Sequence, residues 1–431
     1  MTLSFHLKIE VVLGFKYIDN ILSCSGIKVD ELADEFDTPL YLYDAESITK
    51  RAGDFRDAFI DADSKIHYAL KANSNLSILK LIKRAGLGAD IVSAGELSFA
   101  LKAGFPPQDI TFAGVGKRYE ELVLAIEKQV GVIIAESKSE VALINEITGA
   151  NLPRPTVALR VNPNIDANTH KNISTGLYHN KFGMGEDDLR DLISRRTEFD
   201  NIDLAGIHIH IGSQVSNSAP YIAAAEYAAG LANEFNHSET IIKVINLGGG
   251  LGVNYDKMLP GESEFDHLTP KQLAKNILPI IKTTGCLLYL EPGRWIVAPS
   301  AILITRVSYL KTIGGNKFVI TDAGMTDFMR PSLYQATHPI VPIIRTNNQE
   351  EQVNIVGPIC ESTDSFAEDY SLPKVLEGDL LAIMGVGAYG YSLASNYNLH
   401  PRPAEVMITN GEAHLIRKRE TLEQLLEGMS D

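Results

Sequence analysis

The sequence predicts a two-domain α/β protein: a (β/α)8 TIM barrel, plus a C-terminal antiparallel β-sandwich or β-barrel domain that also takes in the N-terminal segment. Three observations lead to this fold. The chain has 431 residues, more than one domain usually holds. Before residue 293, eight short apolar runs are separated by segments whose apolar residues have helical spacing. After residue 295, apolar and polar residues take turns along the chain, as in strands. We expect the barrel at 45–293, the β-domain at 15–44 and 294–431, and an N-terminal extension without an assigned role at 1–14.

The eight predicted barrel strands come at intervals that leave room for a helix between each pair. An open, doubly wound sheet is the alternative, but the count of eight favours a closed barrel. The predicted strands are KIHYAL (65–70), ADIVS (89–93), DITFAG (109–114), GVIIAES (131–137), TVALRVN (156–162), LAGIHIHIG (204–212), KVINLGGG (243–250) and LLYLEPG (287–293).

The region after residue 295 shows strand-like alternation joined by Gly, Asn and Pro turns, which predicts an antiparallel domain. Residues 21–26 and 40–43 could each supply a strand to it, and the tail from Arg417 has the spacing of a solvated helix. The predicted strands are AILITRVSYLKTI (301–313), KFVITD (317–322), EQVNIVG (351–357), DLLAIMG (379–385) and AEVMITNGEAHLI (404–416).

Composition narrows the classes of function. Hydrophobic residues make up 45% of the chain and charged residues 22%, as in ordinary globular proteins. The formal net charge of −15 disfavours nucleic-acid and membrane-surface partners. The first residues lack the features of a signal peptide. Cys24, Cys286 and Cys360 are too scattered for a disulfide framework or a metal site, which predicts a cytoplasmic protein without a metal.

The ends of the predicted strands carry more polar groups than packing requires. In a barrel of this type these ends meet at the face that carries the chemistry. In strand order the polar residues are Lys71 and Asn73, Asp90 and Ser93, Arg160 and Asn162, His208, His210 and Ser213, Gly248–Gly250, and finally Glu291, Gly293 and Arg294.

Four of these positions suggest a cofactor site, although each has a plainer explanation. Gly248–Gly250 can bind a phosphate through backbone N–H groups or form a tight turn, and Ser213 can add a hydroxyl. Lys71 is either a desolvated amine with a lowered pKa or a lysine that reaches solvent. Glu291 either holds a proton on a ring nitrogen or pairs with Arg294. His210 either stacks on a flat ring or, as we expect for His208, is a core histidine.

Together, these four features indicate a site for pyridoxal 5'-phosphate. They are a phosphate site, a reactive amine, a carboxylate for a pyridine nitrogen and a stacking ring. This cofactor withdraws electrons from the Cα atom of an amino acid. The segments YALKAN (68–73), IHIGSQ (209–214), NLGGG (246–250), EPGR (291–294), GPICESTD (357–364) and GAYG (387–390) resemble motifs of fold-type III pyridoxal-phosphate decarboxylases, and among them the diaminopimelate decarboxylases.

The resemblance implies roles for individual residues. Lys71 matches the Schiff-base lysine, His210 the stacking histidine, and Glu291 the partner of the pyridine nitrogen. It also implies a homodimer with shared sites, in which Cys360 and Glu361 act in the neighbouring subunit. The other implied cofactor-binding residues are Asp90, Ser213, Gly248, Gly249, Gly250, Gly293, Arg294 and Tyr389.

The resemblance further implies decarboxylation of meso-2,6-diaminopimelate at its D-centre to give L-lysine and CO2. A substrate whose distal end bears both charges needs both signs in the site, and the implied substrate-binding residues are Arg294, Arg330, Tyr334, Glu361 and Tyr389. Residues 170–183 resemble a mobile active-site loop. The alternatives are decarboxylation of ornithine, arginine or carboxynorspermidine, an alanine-racemase-like enzyme, which Glu291 disfavours, and a non-catalytic pyridoxal-phosphate carrier, which the second domain disfavours.

Overall fold

The computed structural model describes residues 14–149, 151–165, 180–237, 241–262 and 267–430. The N-terminal extension, apart from Gly14, and most of the expected mobile loop lie outside these ranges. Within them, no helix combines the length and the apolar character needed to cross a membrane.

The N-terminal segment contributes to two different sheets. Its elements are β1 (Phe15–Ile18), β2 (Ile21–Cys24), β3 (Ile27–Lys28), α1 (Val29–Phe36) and β4 (Leu40–Asp44). β4 joins the large sheet of the second domain, as residues 40–43 predict. The expected strand at 21–26 instead forms β2 of a separate three-stranded antiparallel sheet, and its backbone pairs with the second domain at Ile21 and Leu22. Strands β1 to β3 are joined by tight turns, so they pair with each other before any distant strand.

The predicted barrel is confirmed, and the open sheet is excluded because the last strand pairs in parallel with the first. All eight predicted runs contain a strand, in chain order around the barrel. The strands are β5 (Ser64–Ala69), β6 (Gly88–Ile91), β7 (Ile110–Phe112), β8 (Val132–Ala135), β9 (Thr156–Arg160), β10 (Asp203–His208), β11 (Val244–Asn246) and β12 (Leu287–Leu290).

Helices cover the outside of the barrel and begin where the sequence supplies a cap. Ser93, Ser137 and Thr269 each accept a hydrogen bond from a backbone N–H in the first turn of the helix that follows. The helices are α2 (Ala45–Ala58), α3 (Leu76–Arg84), α4 (Ala94–Ala103), α5 (Tyr119–Glu127), α6 (Lys138–Thr148), α7 (Glu186–Ser194), α8 (Ala219–Phe235) and α9 (Pro270–Ile281).

The second domain is a mixed sheet rather than a purely antiparallel one. Its elements are α10 (Arg294–Val297), β13 (Ala301–Ile313), β14 (Asn316–Thr321), α11 (Arg330–Tyr334), β15 (Ile340–Pro342), β16 (Glu350–Val356), β17 (Ser365–Pro373), β18 (Leu380–Met384), β19 (Ala404–Thr409), β20 (Glu412–Arg417) and α12 (Leu422–Leu425).

Two pairs in this sheet, β4 with β19 and β14 with β16, run parallel. Long connections allow this arrangement, since a parallel pair cannot be joined by a hairpin. The predicted helix of the tail is also shorter than expected, because Arg417 ends a strand and only α12 is helical. Short 3₁₀ turns lie at Leu70–Ala72, Pro107–Asp109, Arg196–Glu198, Tyr255–Lys257, Ala298–Ser300, Tyr391–Leu393 and Tyr397–Leu399.

Alternation along the strands sorts the apolar residues into two clusters. A small cluster, in which Val132, Ile134 and Tyr289 take part, fills the inside of the barrel. A larger one packs the outside of the strands against the helices and continues into the second domain. Burial of each such Leu, Ile or Val side chain contributes about 1.5–3 kcal/mol. The continuous core holds the two domains together, and the polar strand ends lie where they meet.

Candidate active site

Lys71 lies in the 3₁₀ turn Leu70–Ala72, one residue beyond the expected end of its strand. The turn is fixed by the residues that follow it. Tyr68 donates a hydrogen bond to the carbonyl of Asn73 at 3.0 Å, and the side chain of Asn73 accepts one from the Asn75 N–H at 3.0 Å. The backbone of Ala72 accepts a further bond from the N–H of Tyr389 at 2.8 Å. The second domain therefore helps to position the amine.

The Lys71 amine forms an ion pair with Asp90, with Nζ and Oδ2 3.2 Å apart. A lowered pKa for Lys71 was one of the two interpretations that the sequence offered, and it is wrong. Burial acts to lower the pKa, but Asp90, followed by Tyr389 and Glu291, outweighs it and raises the pKa of Lys71. Within the described residues, the second oxygen of Asp90, Oδ1, is buried and has no hydrogen-bond partner.

Glu291 is held by Asn246 and His208, not by Arg294. Asn246 Nδ2 donates to Glu291 Oε1 at 2.6 Å, and His208 Nε2 lies 3.4 Å from Glu291 Oε2. Burial by itself would raise the pKa of Glu291, but His208, Lys71 and the Asn246 hydrogen bond lower it well below its usual range. Glu291 is thus a buried, fixed negative charge.

His210 is a neutral ring in this site. The Gly249 N–H donates to His210 Nδ1 at 3.2 Å, which places the ring proton on Nε2. Burial, followed by the positive charges of Arg160 and Lys71, lowers the pKa of His210 well below its usual range. A neutral imidazole can stack on a flat ring without placing another cation beside Lys71.

Gly248–Gly250 are required because other backbone and side-chain atoms approach them closely. A Cβ atom would lie 2.6 Å from His210 Nδ1 at Gly248 and 2.1 Å from the carbonyl oxygen of Glu291 at Gly249. The N–H groups of Gly248 and Gly249 already donate to Asn246 and His210. Among the three, only the N–H of Gly250 lacks a partner within the described residues, so it is the one left for an anion.

Arg294 joins the two domains at the mouth of the barrel. Its guanidinium donates to Ser213 Oγ at 3.1 Å and to the Tyr255 hydroxyl at 2.8 Å, and lies 4.7 Å from the centre of the Tyr389 ring. Gly293 allows this position, because a Cβ there would lie 3.0 Å from the Ala72 Cβ. Tyr389 has a left-handed backbone, with φ of 56°, which is uncommon outside glycine and characteristic of functional sites.

Arg330 lies at the start of α11 and is almost fully buried. Its Nη1 bonds to His338 Nε2 at 2.7 Å, and its guanidinium lies 4.4 Å from the centre of the Tyr255 ring. Within the described residues, its Nε is buried without a partner, and neither Arg294 nor Arg330 forms an ion pair with a carboxylate. Two buried cations without an anion, with Tyr334 nearby, could bind a carboxylate of a ligand.

Cys360 and Glu361 belong to a different location. Both are exposed. In the described part of the chain, Cys360 N–H donates to Asn398 and Glu361 accepts from Tyr397, and neither contacts Lys71. The structure of one chain thus brings together every predicted site residue except these two.

Comparison with known proteins identifies the family of this chain. A family described as "Pyridoxal-dependent decarboxylase, pyridoxal binding domain" matches residues 45–298, more than half of the chain. A diaminopimelate decarboxylase of Aquifex aeolicus is 40% identical over 416 residues, which are 96% of this chain and 97% of that protein. The chain belongs to the pyridoxal-dependent decarboxylases.

Solved structures of similar decarboxylases share the whole architecture. Diaminopimelate decarboxylase from Helicobacter pylori, complexed with L-lysine, is 40% identical with a TM-score of 0.87; the match covers 93% of this chain and 98% of that one. The M. jannaschii enzyme, also in complex with L-lysine, is 36% identical with a TM-score of 0.90, over 97% and 98% of the two chains.

The site residues fit the cofactor of this decarboxylase family. Lys71 would supply the amine, Glu291 a carboxylate for the ring nitrogen, and His210 a neutral ring to stack. Ser213 and the Gly250 N–H would hold the phosphate, where a side chain on Gly250 would lie 2.1 Å from the carbonyl oxygen of Gly212. Arg294 and Tyr389 would line the same space.

Sequence reasoning missed three residues that contact the predicted site of this decarboxylase. His208 was expected to be a core histidine, yet it contacts Glu291. Asn246 holds both Glu291 and Gly248, and its position within NLGGG was the available signal. Tyr255 contacts both arginines and gave no sequence signal, since it lies in a loop beyond β11.

A buried polar network beneath Lys71 was also missed. Glu405 on β19 is fully buried and accepts hydrogen bonds from Tyr43 at 2.8 Å, from Asn75 at 2.9 Å, and from Arg417. Asn73 Nδ2 donates to the Tyr43 hydroxyl at 3.2 Å. The turn that carries Lys71 is therefore anchored in the sheet of the second domain.

Proposed function

We propose that this protein decarboxylates meso-2,6-diaminopimelate at its D-centre, giving L-lysine and CO2. The near-full-length similarity to diaminopimelate decarboxylases supports this reaction. The two-domain architecture argues against a single-barrel cofactor carrier. The carboxylate at Glu291 argues against a racemase, since that family places an arginine at the ring nitrogen.

The observation that carries the choice of substrate is the buried, unpaired Nε of Arg330 beside Arg294. Ornithine and arginine have no carboxylate at the distal end, so they would leave this donor without a partner. An unsatisfied buried donor of this kind costs about 1–3 kcal/mol. A substrate with a second carboxylate satisfies it, and we assign the distal carboxylate of diaminopimelate to Arg330, with Arg294, Tyr334 and Tyr389 completing the binding site.

Each residue near the reacting carbon has a separate task. Bound pyridoxal phosphate supplies the electron sink for the electron pair left at Cα when CO2 departs. Glu291 stays ionised and so would favour a proton on the ring nitrogen of the cofactor. Asp90 Oδ2, 3.2 Å from Lys71 Nζ, is placed to accept the proton that the amine would lose in holding the cofactor. His210 would exclude water from the ring.

We assign Cys360 and Glu361 to the active site of the partner subunit in a homodimer. Their separation from Lys71 within one chain supports this assignment. Glu361 would bind the distal ammonium group of the substrate. Either Cys360 or Lys71 would return the proton to Cα.

Product analysis tests the reaction. The holoenzyme is incubated in turn with meso-diaminopimelate, ornithine, arginine and carboxynorspermidine, and the products are separated by chromatography. We expect L-lysine from diaminopimelate, at a kcat/KM far above that of any other substrate. If another amino acid is preferred and no lysine forms, the substrate assignment is wrong.

Mixing two variants tests the shared site, with the activity of each variant alone as the reference. Lys71→Ala and Cys360→Ala each remove one half of every site. If the halves come from different subunits, mixed dimers regain one intact site, and about a quarter of native activity returns at equal mixing. No recovery after verified subunit exchange would place both residues in the same subunit.

A further inference from the structure

The short segment Tyr397–Leu399 packs against the exposed tip that carries Cys360 and Glu361. The Tyr397 hydroxyl donates to Glu361 Oε1 at 2.5 Å, and Asn398 Oδ1 accepts from the Cys360 N–H at 3.0 Å. Asn398 has a left-handed backbone, with φ of 55°, a conformation that asparagine tolerates better than most residues. The segment is thus shaped so that two successive side chains reach two successive residues of the tip.

The base of the tip is fixed separately, by Asp364. Its two carboxylate oxygens accept hydrogen bonds from the backbone N–H groups of Met325 at 2.6 Å and Ile359 at 2.7 Å. Burial raises the pKa of Asp364, but these two hydrogen bonds act to lower it. Asp364 therefore holds the loop where it leaves the sheet, while the direction of the tip depends on Tyr397 and Asn398.

We propose that Tyr397 and Asn398 are positioning residues that orient Glu361 and Cys360 toward the substrate in the partner's site. This inference rests on the proposed function of Glu361. A free glutamate side chain samples several rotamers, and the Tyr397 hydroxyl selects one by binding Oε1. Glu361 Oε2 makes no hydrogen bond within the described residues, so it remains available for the ammonium group of the substrate.

The charge of Glu361 also keeps the tyrosine in its donor form. The hydrogen bond with Glu361, followed by the charge of Glu361, raises the pKa of Tyr397. The Tyr397 hydroxyl is therefore the donor of this hydrogen bond, and Glu361 Oε1 is its acceptor.

The test compares Tyr397→Phe with Glu361→Gln in the holoenzyme. Tyr397→Phe removes one oxygen from a half-exposed side chain, so the fold is retained. We expect KM for diaminopimelate to rise roughly 2- to 12-fold, the loss of one ordinary hydrogen bond at an exposed site, while kcat and the visible absorbance of the bound cofactor stay native. Tyr309→Phe, at an exposed tyrosine on β13, is the matched control and should retain the native KM.

The double variant Tyr397→Phe/Glu361→Gln separates orientation from a direct contact. If the tyrosine acts only through Glu361, the double variant has the KM of Glu361→Gln alone. An independent test is Asn398→Gly, which keeps the left-handed backbone but removes the acceptor, and should also raise KM. Asn410→Gly, at a left-handed asparagine in the turn between β19 and β20, is its control.

The outcomes distinguish this inference from the proposed function. If Glu361→Gln raises KM but Tyr397→Phe and Asn398→Gly do not, the positioning role is wrong and the substrate role of Glu361 stands. If Glu361→Gln also leaves KM unchanged, both are wrong. Additive effects of Tyr397→Phe and Glu361→Gln would overturn positioning through Glu361.

Discussion

Arg330→Lys is the substitution that most directly tests how this decarboxylase selects its substrate. Lysine keeps the positive charge but removes Nε, the buried donor that has no partner within the described residues. It also removes the contact of the guanidinium with the Tyr255 ring, 4.4 Å away, and the hydrogen bond of Nη1 to His338. The charge at the site is then unchanged, while the geometry of the groups that would bind a carboxylate is altered.

The expected magnitude follows from one charge-assisted hydrogen bond. Such a bond contributes about 1.5–3 kcal/mol, which corresponds to a loss of about 10- to 150-fold in kcat/KM. The assay is steady-state release of CO2 from meso-diaminopimelate by the holoenzyme, with Arg306→Lys as control. Arg306 is a partly exposed arginine on β13 whose Nη1 bonds only to the Gly378 carbonyl within the described residues.

Two results would refute the reasoning. A native kcat/KM in Arg330→Lys would mean that Nε does not bind the substrate. An equal loss in Arg306→Lys would mean that arginine replacement in this domain acts through general destabilisation. The melting temperature of each variant is measured alongside the kinetics, so that unfolding is not mistaken for weaker binding.

Three further predictions test other parts of the site and the fold. Gly249→Ala should weaken cofactor binding, measured by fluorescence titration, because its Cβ would lie 2.1 Å from the Glu291 carbonyl oxygen. Gly53→Ala in α2 is the control and should not weaken it, since no atom lies within 4 Å of its Cβ and its backbone is not left-handed. Glu405→Gln should lower kcat and the melting temperature together, because Arg417 and Asn75 lose a buried charge; native kcat would mean that the network does not position Lys71. Burial raises the pKa of the Asp327 carboxyl in the native state to about 7, above its value in the unfolded chain. Between these two pKa values the native state keeps a proton that the unfolded chain has lost. The free energy of unfolding therefore falls as the pH rises toward 7. Thermal melts of Asp327→Asn should therefore lose less stability than the native protein between roughly pH 4 and 7, and parallel curves would contradict this.

The strands were predictable because alternation and short apolar runs are local properties of the chain. Every run chosen for the barrel contains a strand, and the polar residues at the strand ends include nearly all of the site. The pairing partners were less predictable. Parallel pairing of β4 with β19 depends on residues more than 300 positions apart, and a local pattern carries no information on such a contact.

Protonation states were the least predictable feature of the site. The strand-end position of Lys71 suggested desolvation and a lowered pKa, but its ion pair with Asp90 reverses the sign. Similarly, Arg294 was the partner that the sequence offered for Glu291, and His208 was expected to be a core histidine, yet His208 is the one that contacts Glu291. The sign of an electrostatic shift depends on which charges lie within a few ångströms, and spacing along the chain does not specify those distances.

The sequence by itself determined the barrel, the second domain and the cofactor, and it proposed Lys71 as the amine for that cofactor, because periodicity and motif spacing encode these features locally. Only the tertiary structure decided that the Gly248 and Gly249 N–H groups are already used, that Arg330 Nε has no partner within the described residues, and that Cys360 and Glu361 lie apart from Lys71. Those facts depend on contacts between distant segments, and the free energy of such contacts is set by three-dimensional distance and burial.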